Sequence, residues 1–334
     1  MRAAYITAPG PVENITIGDL PDPQPGPGQV LVRVTYAAVN PIDTYVRSGM
    51  VAMELPAPFV VGCDLAGVVE AVGPGVMRYS PGMRVWGSNQ GLLGRQGTFA
   101  ELAAVDQQWL YPIPDEVSDE QAAASALVGL TAALGLFEEA NLEPRDQVVV
   151  HGGGGAVGST VVQMAAAAGA RVLAVAGGPE KCGRCRELGA ETTVDYLHQD
   201  HNHVAASIAD WAPGGVNVWW ETCREPQLEL AVNALAQRGR IVVMAGRDAR
   251  PVLPISPFFV KCCRLLGFVM FLCDPETQAR AAARVNDLLA AGKLRTPIDR
   301  VAPLEETALL HDLQHNSTVL GKHPVSGKLL VKLS

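Results

Sequence analysis

Short blocks of apolar residues, many alternating with polar ones, fill the N-terminal part of the chain. Arg2 to Ala8 and Val30 to Val39 read as strands, as do Phe59-Val60-Val61, Gly67 to Val72, Gly82 to Trp86 and Thr98 to Glu101. Glycine and proline separate them at close intervals, and Pro21, Pro23, Pro25 and Pro27 make an extended loop. This spacing predicts a small antiparallel barrel. The pattern changes at Asp119. Alanine-rich helical sequence runs through Leu134 and Leu136 into a strand from Gln147 to His151. Helix-like and strand-like stretches then alternate: a helix to about Ala168, Arg171 to Ala176, Glu180 to Leu188, Val216 to Glu221, Gln227 to Gln237, Arg240 to Ala245 and Arg264 to Val269. Such alternation predicts a doubly wound parallel α/β sheet. A last helix, Glu276 to Ala291, and a strand at Lys328 to Val331 lack a core of their own and are expected to pack back on the barrel. The expected domains are therefore 1–122 with 270–334, and 123–269.

The turn after the strand Val148-Val149-Val150-His151 is Gly152-Gly153-Gly154-Gly155-Ala156-Val157-Gly158. Gly153, Gly155 and Gly158 stand in G-x-G-x-x-G spacing between a strand and a helix. In that context the first glycine allows a tight turn, the second lets backbone approach a pyrophosphate, and the third packs the helix on the strand. Helix N–H groups then face the phosphates. The stretch predicts a dinucleotide site.

Composition narrows the classes. The net charge of −8 argues against nucleic acid, which needs a basic face. No apolar run reaches the ~18 residues of a membrane span, and Met1 to Tyr5 open no signal-peptide core. Seven scattered cysteines in 334 residues suggest reduced thiols and a cytoplasmic protein. Cys182 and Cys185 form a C-x-x-C on a predicted helix without a second pair, which reads as two thiols on one helix face. His198, His201 and His203 read as a solvated polar loop.

The chain resembles the zinc-free branch of the medium-chain dehydrogenase/reductase superfamily, the quinone oxidoreductase or ζ-crystallin group. The likeness spans nearly the whole length. It is carried by Asn40-Pro41-Ile42-Asp43-Thr44-Tyr45-Val46-Arg47-Ser48-Gly49, by Gly62-Cys63-Asp64-Leu65-Ala66-Gly67, by His151 to Gly158 and by Ser326-Gly327-Lys328. The resemblance implies a GroES-like barrel plus a Rossmann domain, with the active site in the cleft between them. It implies NADPH, held by Asn40, Thr131, Gly153, Gly155, Ala156, Val157, Gly158, Gly177, Lys181, Tyr196, Ala245, Gly246, Arg247, Phe268 and Lys328. Gly177, Lys181 and Tyr196 would surround the 2′-phosphate and adenosine end, and Thr131 would lie by the nicotinamide. Asn40, Tyr45 and Arg47 would serve the acceptor, Asn40 as donor to the carbonyl oxygen. The same residues can be read without function: Asn40 as a turn residue before Pro41, Lys181 as a solvated helix lysine and Tyr196 as a surface tyrosine.

No zinc is expected. Zinc relatives carry Gly-His-Glu where this chain has Gly62-Cys63-Asp64, and a catalytic cysteine near Pro41 to Asp43, where it has none. A catalytic zinc needs three protein ligands. For the cofactor, the second strand ends in Ala176-Gly177-Gly178-Pro179, with no carboxylate for a ribose diol, and Lys181 follows. No Ser-His-Asp set and no carboxylate pair is evident. Hydride transfer to an electron-poor carbonyl compound is largely the cofactor's own chemistry. The expected activity is thus NADPH-dependent reduction of quinones or other α,β-unsaturated carbonyls. Alternatives are an enoyl-thioester or alkenal/one reductase and a non-catalytic, crystallin-like NADPH-binding protein. Val51 stands where the resemblance implies a cleft tyrosine. The Arg264 to Val269 edge, with Phe268 and Phe271, is expected to pair two copies into a homodimer, or a tetramer built from it.

Overall fold

The computed structural model describes residues 1–322 and 325–333. The chain forms two compact units, Met1–Leu127 with Arg295–Ser334, and Val128–Leu294. The expected boundaries differ from these at the C-terminal side. The helix Pro275–Ala290 belongs to the second unit, because its side chains pack there. Gln278 donates to the carbonyl of Met270 (2.7 Å), Arg280 pairs with Glu138 (2.9 Å), and Val285 fills the space beside Gly129.

The first unit is mostly antiparallel sheet. Gln29–Val39 is its central strand, pairing with Leu65–Val72, Leu102–Asp106 and Lys328–Lys332. Arg84–Gly87 and Leu110–Pro112 extend one side, and Ile298–Pro303 runs parallel to Lys328–Lys332 on the other. A three-stranded sheet of Thr16–Asp19, Arg2–Ile6 and Phe59–Val60 completes it. Irregularities at Leu31/Val32 and Val34/Tyr36 bend the central strand, as closing a small sheet around one core requires. Val32, Val34, Leu65, Val85, Phe99 and Leu110 are among that core's fully buried side chains. The expected strand at Thr98 to Glu101 is absent. The segment makes only an isolated antiparallel bridge, Ala100 with Ala3, while Phe99 donates to the Val61 carbonyl (3.0 Å) and accepts from Ala4 (2.8 Å), and the ladder begins at Leu102.

The second unit holds six parallel strands. In spatial order they are Thr192–Asp195, Arg171–Ala176, Gln147–His151, Val216–Glu221, Leu235–Val243 and Arg264–Gly267. The chain builds outward from Gln147–His151 to one side, then starts again at Val216–Glu221 on the other. The strand order therefore reverses between those two strands, and their carboxyl ends form the crevice where doubly wound sheets bind ligands. Val149, Leu173, Trp219 and Ile241 form the core on one face of this sheet. The helix expected through Gln237 ends instead at Ala234. Lys261 Nζ donates to the carbonyls of Val232, Asn233 and Leu235 at 2.8–3.0 Å. One ammonium thus satisfies the helix end, and Leu235 leaves it as strand.

Against the expectation of no run of membrane-spanning length, the helical stretch Asp119–Glu139 is long and apolar enough to span a membrane by length and composition. Its Ala122, Ala126, Leu130, Leu134 and Leu136 are buried, as in a core helix. A π-helical turn, Leu134–Glu139, ends it. A side chain at Gly135 would collide with Trp220 at 2.3 Å, so only glycine admits this approach of the indole.

Candidate functional site

The first unit gathers a buried polar group around Asn40. The sequence places Asn40 before proline in a turn. The structure makes it the N-cap of a helix, Pro41–Ser48, with Pro41 in the first turn and Gly49 (φ 79°) closing the C-terminus. Tyr45 and Arg47 accordingly lie on a helix rather than a loop. Asp43 accepts from the Asn40 backbone N–H at 2.7 Å. The Asn40 carboxamide donates to the Ala38 carbonyl (3.1 Å) and to Asp64 (2.8 Å), and its oxygen accepts from Lys328. Every donor on that side chain is thereby engaged, and it is fully buried. Arg47 donates to the Gly10 carbonyl (2.6 Å) and is also buried. Tyr45 is half-buried.

Asp43, Asp64 and Lys328 are all buried, so a carboxylate pair exists that the sequence did not reveal. Lys328 Nζ lies 4.0 Å from Asp64 and donates to the Val39 carbonyl at 3.1 Å. Burial pushes the Asp43 carboxyl well up, and the nearby Asp64 charge adds to this. Burial also raises Asp64 and lowers Lys328, while their mutual attraction opposes both shifts.

The second unit gathers the remaining residues at the carboxyl ends of its strands. Gly153 to Gly158 follow Gln147–His151, Gly177 and Lys181 follow Arg171–Ala176, and Tyr196 follows Thr192–Asp195. Ala245, Gly246 and Arg247 follow Leu235–Val243, and Phe268 follows Arg264–Gly267. Thr131 lies on the helix Asp119–Ala133, its hydroxyl 4.0 Å from Met270 Sδ. The left-handed residue of the glycine turn is Gly152 (φ 87°), not Gly153. Gly158 is required by approach: a Cβ there would sit 2.2 Å from the Gly152 carbonyl oxygen. Gly155 caps the helix Ala156–Ala167, and no side chain bonds that helix start. Its first N–H groups lack intrahelical partners, so the turn fits a dinucleotide pyrophosphate. The stem of Lys181 lies across this turn, since a Cβ at Gly154 would meet its Cβ and Cδ at 2.9 Å. The Tyr196 hydroxyl covers Gly177 in the same manner (2.7 Å).

Two acids here went unnoticed in the sequence. Asp195 pairs in register with Ala176, the last residue of the second strand. Its carboxylate accepts from Gly178 N–H (2.8 Å), Leu197 N–H (3.0 Å) and the His198 ring (2.8 Å), which hold it below the usual carboxylate range. It is occupied with building the turn. Glu221 is fully buried opposite His151, which binds both its oxygens at 2.8 and 2.9 Å. Trp219 Nε1 (3.2 Å) and the N–H groups of Cys223 (2.8 Å) and Gln227 (3.2 Å) also donate to it. A lone acid ending the largely apolar stretch Val218-Trp219-Trp220 was the available signal. His201 and His203 begin a helix, His201–Trp211, capped by Asp200, rather than a loop.

Two family models match the chain. Residues 26–115 match an alcohol dehydrogenase GroES-like domain and residues 156–287 a zinc-binding dehydrogenase domain. The chain belongs to the medium-chain dehydrogenase/reductase superfamily of oxidoreductases, in its quinone oxidoreductase-like group. It is 30% identical to the quinone oxidoreductase of Sus scrofa over 305 residues, 91% of each chain. Among solved structures it is similar to an NAD-dependent alcohol dehydrogenase (32% identity, TM-score 0.88, 100% of both chains). It is also similar to a mycobacterial protein complexed with NADPH (28% identity, TM-score 0.84, 99% of both chains).

The zinc implied by one of those descriptions does not suit the residues present. Asp64 Oδ2 accepts from Asn40 and from the Leu127 N–H (3.3 Å), and the Lys328 ammonium stands where it would repel a second cation. Cys63 is buried against Ser88 (3.2 Å), and burial pushes its thiol well up.

Proposed function

We propose that this chain is an NADPH-dependent, zinc-independent reductase of quinones or other α,β-unsaturated carbonyls. The observation that carries the reading is the glycine turn at the strand-order reversal with the Lys181 stem lying on it. Gly153, Gly155, Ala156, Val157 and Gly158 would hold the pyrophosphate. Gly177, Lys181 and Tyr196 would take the 2′-phosphate and adenosine end. Thr131, Ala245, Gly246, Arg247 and Phe268 are assigned to the same cofactor. When bound, the dinucleotide supplies the hydride for direct transfer to the acceptor.

The polar group of the first unit is assigned to the acceptor. Asn40 and Lys328, with no free donor on the amide, are positioning residues that fix the start of the helix Pro41–Ser48. Arg47 ties the same helix to Gly10. Tyr45 carries the half-buried phenolic hydroxyl of that helix and is the group assigned to the developing oxyanion. Met50, Val51 and Met53 would make an apolar lip selecting apolar acceptors.

The acting unit is proposed to be a homodimer, and seven free thiols favour the cytoplasm. The test is steady-state oxidation of NADPH and NADH with matched quinone, enone and enoyl-CoA panels, with elemental analysis of the same protein. Turnover of quinones or enones with NADPH, retained after mild chelation has removed any zinc, is the expected result. Preference for enoyl-CoA would replace the substrate class. NADPH binding without consumption would make it a non-catalytic binding protein.

A further inference from the structure

Among the described residues, one set of three metal-ligating side chains converges: His151, Glu221 and Cys223, whose ligand atoms lie within 4.8 Å of one another. We propose that this trio binds a soft divalent cation of the Zn2+ class, and that the ion blocks the glycine turn. It is remote in sequence from the Cys63-Asp64 stretch.

The fold brings the three together. His151 and Glu221 are the last residues of neighbouring parallel strands and face each other in register. Cys223 follows two residues on, half-buried, while Glu221 is fully buried. One imidazole nitrogen, one carboxylate and one thiolate are a ligand set that Zn2+ takes, with a fourth position left open. The carboxylate is already oriented by partners that an ion would leave in place: Trp219 Nε1 and the N–H groups of Cys223 and Gln227. Such outer hydrogen bonds fix ligand geometry. The ion enters where the His151–Glu221 hydrogen bond now lies. The imidazole proton moves from Nδ1 to Nε2, and the Cys223 thiol proton leaves to solvent. Nothing is oxidised or reduced.

Added metal would bind, and a chelator would remove it. The consequence for the turn is steric. Cys223 Sγ lies 3.3 Å from where a Cβ of Gly152 would be, and the Thr222 hydroxyl donates to the His151 carbonyl (2.8 Å). An ion held by Cys223 therefore sits against the turn assigned to the pyrophosphate. This blocking effect rests on the dinucleotide reading; the metal site itself does not.

The test titrates Zn2+ by calorimetry into chelator-treated full-length protein without dinucleotide. One ion per chain is expected. Cys223→Ser and His151→Gln should each weaken binding about tenfold or more, and Cys182→Ser/Cys185→Ser should not. With Cd2+ as a second probe, the ultraviolet thiolate-to-cadmium absorption should appear in the parent and be missing from Cys223→Ser. If Cys223→Ser does not fold, Cys223→Ala is read in the same way, with thermal melting as the folding control. Unchanged Zn2+ affinity in the Cys223 and His151 variants overturns the site. NADPH is then titrated into metal-free and Zn2+-loaded protein. Mutual weakening by one common factor is expected, since coupling between bound ligands is reciprocal. Equal NADPH affinity in both forms overturns the blocking effect. No NADPH binding to the metal-free form overturns the dinucleotide reading and leaves the metal site to the first titration.

Discussion

The ammonium of Lys328 lies 4.0 Å from the carboxylate of Asp64: Lys328 opens the strand Lys328–Lys332 and Asp64 immediately precedes Leu65–Val72, the two strands that flank Gln29–Val39. Both are buried. A buried pair adds little net stability over an apolar one, but removing a single partner strands a charge at a cost of about 3–5 kcal/mol. Lys328→Met should therefore lower the unfolding free energy by about that amount. Lys328→Met with Asp64→Leu should recover part of it. Urea unfolding of the parent, both single variants and the double variant measures the coupling. Additive losses would mean that the two groups do not compensate each other.

His311 predicts acid sensitivity in the first unit. It is fully buried, neither ring nitrogen has a hydrogen-bond partner, and it contacts Phe99 edge-on at 5.8 Å. Burial, then the Arg47 charge, lowers it from 6.5 to about 3. Below pH 6.5 the unfolded chain takes a proton that the folded chain refuses, so folding loses stability as pH falls from 6.5 towards 3. At pH 4 the loss from this group is about 3 kcal/mol. His311→Phe removes that dependence. The stability difference between variant and parent should shift by about 3 kcal/mol towards the variant between pH 7 and pH 4, as read by urea midpoints. A constant difference would show that His311 is protonated or solvated in the native protein.

What the sequence carried and what it hid divide along a physical line. The strands Gln147–His151, Arg171–Ala176 and Val216–Glu221 match their expected bounds, because each is a short, largely apolar and β-branched or aromatic-rich run between polar or glycine turns. Asn40, Asp43 and Lys328 were visible as a motif, yet their meeting was not. Lys328 reaches Asn40 across 288 positions, and no local pattern records such a contact. The amide expected to serve a ligand has both of its N–H donors engaged by Ala38 and Asp64. Asp195 was missed for a related reason. The acid of such a site is expected at the tip of the second strand, whereas Asp195 reaches Gly178 from the neighbouring strand.

The edge strand Arg264–Gly267 supports the proposed assembly. It ends the sheet, and Ile255, Phe259, Val260, Leu265, Val269 and Leu272 around it are exposed. An open apolar edge is a liability that pairing of two copies removes. Light scattering at micromolar concentration should give a dimer or a multiple of it. Phe259→Glu with Leu265→Lys should shift it to monomer without lowering the first-unit stability. A monomeric parent protein would contradict the assignment.

The proposed preference for NADPH turns on how Lys181 meets Gly154. The stem packs on the glycine turn, and only the ammonium can discriminate a 2′-phosphate from a hydroxyl. Two substitutions separate those contributions. Lys181→Met keeps the stem and removes the charge, so NADPH binding should weaken by about 1–3 kcal/mol, one to two decades, with NADH nearly unchanged. Lys181→Ala also uncovers the turn, and should add a smaller loss shared by both cofactors. Turnover at saturating NADPH should hold in Lys181→Met, because the 2′-phosphate is remote from the transferred hydride. Fluorescence titration of both cofactors against the three proteins reads each term. An equal loss for NADH and NADPH in Lys181→Met would assign the lysine to the pyrophosphate turn instead of the 2′-phosphate.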